Sequence, residues 1–421
     1  MIDKHRWLTA RCECAGFKFL IAALAGLFAP PMMAASYQLY DLGTFGGGSY
    51  GYAVNENRVA TGFSQDLTGN ARAFRYTFDS GDLHDLGTFG GPRSMGRDIN
   101  NAGLIAGGAT VSSGQLRAFL HDGALHDLGT FGGSESTSLG VNAKGQVTGY
   151  ADVPGDYGHA FYYDGGTMHD IGTLGGETSS ESKINESGHI TGVSNNSQGF
   201  RHAFYYDGAS MHDIGTLGGS ESEGWNINSS DVIVGSALDS DGSWRAFLYS
   251  ATGMRDLGTL GGTASFGRSL NDYGEAVGYS STSAGAPAAY YYDGYSMYDL
   301  CALSDCIGSG WNALLSVYDI NNSGDIVGFG HIDGKSHAFL AVRISPVPGA
   351  ASGDINDDGS VDLRDLLLML DFVMYRVQPD THQAIRADVA PRMDDGAAAP
   401  NGIIDTADLM VLQRLILNGS S

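Results

Sequence analysis

His202-Ala203-Phe204-Tyr205-Tyr206-Asp207-Gly208-Ala209-Ser210-Met211-His212-Asp213-Ile214-Gly215-Thr216-Leu217-Gly218-Gly219 carries the architecture of this chain. It reads as an aromatic segment of strand length, a turn at Asp207-Gly208, a second short strand and a glycine-rich reversal. Its ending, Asp-Leu/Ile-Gly-Thr-Phe/Leu-Gly-Gly, begins also at Asp41, Asp85, Asp127, Asp170 and Asp256, with a degraded copy at Asp299, at intervals of 42 to 44 residues. A fixed period of that size marks a repeat architecture.

Between copies the same features recur in order. Turn asparagines stand at Asn55, Asn100, Asn142, Asn185, Asn228, Asn271 and Asn321, each behind Val, Ile or Leu, in Asn-x-x-Gly-like turns followed by a further glycine. The apolar alternation after them, as at Val147 and Ile190, predicts hairpins. Phe74, Phe119, Phe161, Phe204, Phe247, Tyr290 and Phe339 mark a third strand, and segments such as Met168-His169-Asp170-Ile171 a fourth.

Four short strands per unit, in seven units, predict an all-β, seven-bladed β-propeller. The seventh unit runs from His337-Ala338-Phe339-Leu340 into Ser345-Pro346 without a fourth strand, while Tyr37-Gln38-Leu39-Tyr40-Asp41-Leu42 is a fourth strand with no unit before it. Joining the two ends removes the open sheet edges of an unclosed array. A linear β-solenoid shares the period but leaves that complementarity as coincidence.

The His-Ala-Phe segments, together with the Asp-Leu-Gly-Thr-Phe/Leu-Gly-Gly motif over about residues 37–343, resemble the extracellular HAF repeat family. The resemblance implies export and a repeat fold, with no established chemistry.

The chain has 421 residues with 63 glycines and 17% charged residues, a composition of turn-rich β proteins. Its 23 Lys and Arg against 47 Asp and Glu give a net charge of -24, which repels polyanions and argues against a nucleic-acid partner. Residues 1–35 read as a signal peptide: basic Lys4, Arg6, Arg11 and Lys18, an apolar run Phe19–Phe28, and small residues Ala34 and Ala35 at the expected cleavage site. That run is short for a membrane span of about twenty residues, and no second stretch of spanning length follows. The expected location is secreted, extracellular or periplasmic. In such an oxidising compartment Cys301 and Cys306, the pair left after signal removal, are expected to form a local disulfide.

After a Pro/Gly/Ala/Ser linker at 345–352 the composition changes, with twelve Asp and no Glu from Gly353 onward. Asp354-Ile355-Asn356-Asp357-Asp358-Gly359-Ser360-Val361-Asp362-Leu363-Arg364-Asp365 spaces oxygen ligands at positions one, three, five, nine and twelve, with Gly359 at the sharp turn. Ca²⁺ takes six to eight oxygens, so Asp354, Asn356, Asp358, Ser360 through its carbonyl, Asp362 through a water and Asp365 make a first site. A helix from Arg364 to about Val377 follows, with Leu366, Leu367, Leu370, Phe372 and Val373 on its apolar face. A weaker second site would use Asp388, Asn401, Ile403, Asp405 and Asp408, with an insertion in its first half. Two loop-helix units opening on Gly353-Asp354-Ile355-Asn356-Asp357-Asp358-Gly359 resemble a type I dockerin domain. The resemblance implies docking onto a cohesin-like partner in polysaccharide-degrading assemblies; the lengthened second loop departs from the pattern.

The expected organisation is a signal peptide (1–35), a HAF-repeat propeller (36–344), a linker (345–352) and a dockerin-like calcium-binding domain (353–421). No unique set of nucleophile, acid and base is legible. His84, His126, His169 and His212 fall at equivalent places in successive units and read as structural. The Tyr162-Tyr163, Tyr205-Tyr206 and Tyr291-Tyr292 pairs read as half core, half candidate platforms for sugar rings. The interval from Asp299 to Asn321, 22 residues against 14 or 15 elsewhere, is the irregular place and the first to inspect for a distinctive surface. The sequence therefore suggests an exported, non-catalytic binding or scaffolding protein, its ring meeting a glycan or surface protein. The alternatives are a glycoside-hydrolysing component of polysaccharide breakdown and a C-terminal domain that merely caps the fold.

Overall fold

The computed structural model describes residues 36–304, 306, 308–344 and 364–368. Residues 36–344 form seven four-stranded antiparallel sheets, and each sheet is one blade. The first strand of each blade lies innermost: Gly46–Val54, Gly90–Ile99, Ser136–Val141, Gly175–Ile184, Gly218–Ile227, Gly261–Leu270 and Ala313–Ile320, for blades one to seven. Each inner strand abuts the next, and the seventh abuts the first, so the array is a closed ring. The fourth strand of blade seven is Tyr37–Asp41, paired antiparallel with Lys335–Arg343 so that Tyr37 faces Arg343 and Asp41 faces Phe339. The propeller expected from the sequence is thus the fold, and the open solenoid is excluded.

The repeat motif is a set of hydrogen-bonding roles. Asp213 accepts the Gly215 N–H on Oδ1 at 2.8 Å, while His202 Nδ1 lies 2.7 Å from its Oδ2. Gly215 sits at φ +78°, where a side chain would be strained. Ser222, on the next inner strand, accepts the Ala203 N–H at 2.9 Å and donates to the Gly215 carbonyl at 2.6 Å, stapling blade five to blade four. The same parts meet across the chain ends: His337 Nδ1 is 2.9 Å from Asp41 Oδ2, and Ser49 joins the Ala338 N–H to the Gly43 carbonyl.

The turn asparagines add a second closure. Each is buried and donates its side-chain N–H to the backbone carbonyl of the next: Asn55 to Asn100, Asn100 to Asn142, Asn142 to Asn185, Asn185 to Asn228, Asn228 to Asn271, Asn271 to Asn321, and Asn321 back to Asn55, at 2.8 to 3.2 Å. Each Oδ1 meanwhile accepts N–H groups of its own turn, as Asn228 does from Ser230 and Val232. A seven-membered amide circuit therefore ties every blade to its neighbour.

The third-strand aromatics, Phe74 through Phe339 and Tyr290 among them, are fully buried between blades. Because a blade is covered on both faces by its neighbours, Tyr291 and Tyr292 are both buried, and Tyr162, Tyr163, Tyr205 and Tyr206 are all partly so. The alternation of one core and one free ring expected for these pairs does not hold.

The closing blade carries extra anchoring. Arg343 Nη2 donates to Glu275 Oε1 at 2.6 Å, to the Tyr291 hydroxyl at 3.1 Å and to the Tyr37 hydroxyl at 3.2 Å, joining blade six to the N-terminal strand. The proximity of Glu275 and of the two tyrosines holds Arg343 charged despite its burial. Asp325, fully buried, pairs with Arg58 of blade one at 2.8 Å. The Cys301–Cys306 disulfide is formed. Part of the insertion around it packs inward: Leu300, Cys306 and Trp311 are buried with Tyr37 and Phe339, and the Tyr37 N–H bonds the Leu303 carbonyl at 3.0 Å. Its role is to hold the strand that closes the ring.

Candidate functional site

A β-bulge recurs in six of the seven inner strands at the same place, three residues before the turn asparagine. In blade two Gly96 pairs with Gly107 and Asp98 with Ala106, so Arg97 is skipped. Tyr52, Leu139, Trp225, Arg268 and Tyr318 are skipped in the same way in blades one, three, five, six and seven. A bulge frees a residue from the ladder and re-aims its side chain. The second-strand glycine opposite is required by this close approach: a Cβ on Gly107 would lie 2.1 Å from the Met95 carbonyl oxygen.

The bulged residues converge on the axis and line one cavity of about 560 Å³, within the usual range for small-molecule sites. Tyr52, Trp225, Tyr318 and Tyr150 supply aromatic wall, and Arg93, Arg97, Lys183 and Arg268 supply positive charge against Glu135. This is a cationic chamber inside a chain of net charge -24. The Arg268 guanidinium lies 3.9 Å from the Trp225 ring centroid, with Tyr279 and Tyr318 at 5.4 and 5.8 Å. Arg97 lies 4.7 Å from the Tyr52 centroid. No carboxylate pairs with either arginine among the described residues, and Arg268 Nε and Trp225 Nε1 are buried without a hydrogen-bond partner. Burial raises the Tyr52 hydroxyl above its usual range, with Arg97 opposing the shift.

One residue nearer the asparagine circuit, a polar layer knits the blades. Lys183 Nζ reaches Asp98 Oδ1 at 3.0 Å, and Asp98 Oδ2 accepts the Val141 N–H at 2.8 Å. Asp319 accepts from Ser269 Oγ at 2.7 Å and from the Val54 N–H at 3.0 Å, and Asn226 donates to Ser269 at 2.7 Å. Desolvation pushes the Asp319 carboxyl up to about 6, with Lys183 opposing and Asp98 reinforcing the shift.

Sequence reasoning did not find this site. The signal was there in the frame of the turn asparagine: the third and second residues before it are Tyr-Ala, Arg-Asp, Leu-Gly, Trp-Asn, Arg-Ser and Tyr-Asp in six of the blades, whereas the surrounding positions repeat. The insertion around Cys301, singled out as the place for a distinctive surface, buries Cys306 and Trp311 and leaves Ala302, Gly308, Ser309, Gly310 and Asn312 exposed. The recurrent histidines are separated around the ring and pair with their own turns, His126 with Asp122, His169 with Asp164 and His212 with Asp207. The His169 bond lowers the Asp164 carboxyl to about 2.

Among the described residues no cluster of His, Cys, Asp and Glu could hold a metal ion, and no helix is long and apolar enough to cross a membrane. Of the expected calcium ligands, Asp354, Asn356, Asp358, Ser360, Asp362, Asp388, Asn401, Ile403, Asp405 and Asp408 lie outside the described residues. Asp365 is buried in a helical segment, Arg364–Leu368.

No family model matches this sequence, and no curated protein matches it. Solved structures do. TolB from Acinetobacter baumannii aligns at 13% identity and TM-score 0.37 over 54% of this chain, which spans 63% of that protein. The β-propeller domain of the Trilobed protease from Pyrococcus furiosus, with an open velcro topology, aligns at 13% identity and TM-score 0.35, covering 48% of this chain and 63% of that one. A puromycin-hydrolyzing peptidase from Mycobacterium tuberculosis aligns at 10% identity and TM-score 0.46, covering 76% and 54%. At these values the alignments carry no argument about activity, and the seven-bladed ring rests on its own strand pairing.

Proposed function

We propose that this chain is an exported binding and scaffolding protein. Its propeller presents the ligand-binding surface, and its dockerin-like segment, residues 353–421, attaches it to a partner when Ca²⁺ is bound. The observation that supports a binding ring is where the repeats differ: motif, cores and inter-blade bonds recur, while the bulged residues facing the axial cavity diverge. A repeated scaffold with one diversified cavity suits recognition, because rigid strands hold the lining side chains in place. The export signal and the HAF and dockerin resemblances support the setting, and enzyme action on a polysaccharide is the competing reading.

The test uses the full secreted chain. Calcium titration by calorimetry is expected to show at least one site that Asp354→Ala removes, and calcium-dependent capture of a cohesin-like module is expected to fail in that variant. Incubation with plant-type polysaccharides is expected to release no reducing ends. Turnover abolished by a single Asp or Glu change in the ring would replace this reading with the hydrolytic one.

A further inference from the structure

We propose that the axial cavity binds a small carboxylate-bearing ligand with a flat body, the carboxylate taken by Arg268 and Arg97 and the body lying against Trp225, Tyr52 and Tyr318. This deepens the reading of the ring as a binding module and rests on it.

The arginines are the starting point. A guanidinium is always charged, and enclosing it without an anionic partner is unfavourable unless something else compensates. Elsewhere in this ring enclosed cations are paired: Arg343 with Glu275 and Lys183 with Asp98. Among the described residues Arg268 meets aromatic faces, Arg97 meets the Tyr52 ring and, at 3.7 Å, the Met95 sulfur, and no carboxylate pairs with either. Stacking uses the face of the guanidinium and leaves the N–H edge for an in-plane acceptor, and the planar fork fits a carboxylate with two parallel bonds. The sign of the chamber also runs against that of the protein. With a net charge of -24 the exterior repels anions, so positive charge concentrated in a low-dielectric cavity reads as selection for one anion of limited size.

The walls set the rest of the ligand. Trp225, Tyr52 and Tyr318 are bulged residues from three blades around the axis, and such rings favour aromatic bodies or the apolar faces of sugar rings. The cavity of about 560 Å³ accommodates one such molecule and excludes a polymer chain folded back on itself.

The test is calorimetric titration of the full-length protein with 4-hydroxybenzoate, its neutral isostere 4-hydroxybenzamide, galacturonate and inorganic phosphate. The expected result is saturable 4-hydroxybenzoate or galacturonate binding, with the benzamide at least about tenfold weaker, and a loss of about tenfold or more in Arg268→Gln and in Arg97→Gln. Arg268→Lys, which keeps the charge but not the fork, is expected to recover only part of the affinity. Arg72→Gln, on the outer face beside Asp85, is expected to bind as the parent does. Thermal unfolding of each variant checks that the ring is intact, and Arg97→Gln serves alone if Arg268→Gln does not fold.

Equal binding of benzoate and benzamide, binding that survives both glutamine variants, phosphate binding without carboxylate binding, or no carboxylate binding up to about 10 mM would each overturn the proposal. Polysaccharide turnover together with Arg268-dependent benzoate binding would defeat the binding-only reading and leave this site standing. No turnover and no Arg268-dependent binding would do the reverse.

Discussion

Replacing Asn228 by alanine is expected to cost about 2–4 kcal/mol of stability, a figure that follows from three bonds. The Asn228 side chain is 6% exposed, donates to the Asn271 carbonyl at 3.1 Å, and accepts from Ser230 N–H at 3.0 Å and Val232 N–H at 2.9 Å. Each such bond contributes about 1 kcal/mol net, and a donor left buried without a partner costs more. Aspartate separates the two roles of this side chain. Asn228→Asp keeps the acceptor for the turn but places a carboxylate oxygen against the Asn271 carbonyl, so it should destabilise at least as much as alanine. Asn57→Ala is the control: its side chain makes a similar inter-blade bond, to the Asn101 carbonyl at 3.1 Å, but at the surface, and should cost less than about 1 kcal/mol. Equilibrium urea denaturation reads all three as shifts in midpoint at constant slope. Should Asn228→Ala cost no more than Asn57→Ala, or Asn228→Asp behave like the parent, the amide circuit would not be what holds neighbouring blades together.

Tyr290 stands where the six other blades have Phe at full burial, and its hydroxyl has no hydrogen-bond partner, so Tyr290→Phe should raise stability by about 1 kcal/mol, measured by the same denaturation. Asp319 gives a pH signature. Its folded carboxyl titrates at about 6 against 3.8 unfolded, so the native state holds the extra proton between those values and stability falls as pH rises through that window, by at most about 3 kcal/mol. Unfolding curves from pH 3.5 to 7 should therefore show the parent losing stability relative to Asp319→Asn, and parallel curves would contradict the assignment.

The sequence by itself determined the repeat, the blade count and the closure. Those are local or periodic facts: an Asp two residues before a glycine that must take positive φ, an asparagine that caps its own turn, an aromatic residue that must be covered, and an unpaired strand at each end. The disulfide was legible too, since Cys301 and Cys306 are close neighbours in the chain. Only the tertiary structure decided the rest. Whether Arg97 and Arg268 share a cavity depends on seven strands distant in sequence meeting at one axis, and on a bulge that turns each skipped side chain inward; the recurring second-strand glycine marks the bulge, but the residues it aims inward are the positions that vary and carry no period. The tyrosine pairs were misjudged for the same physical reason. Burial in a ring is set by the neighbouring blades on both sides, and a single strand's alternation records only one of them.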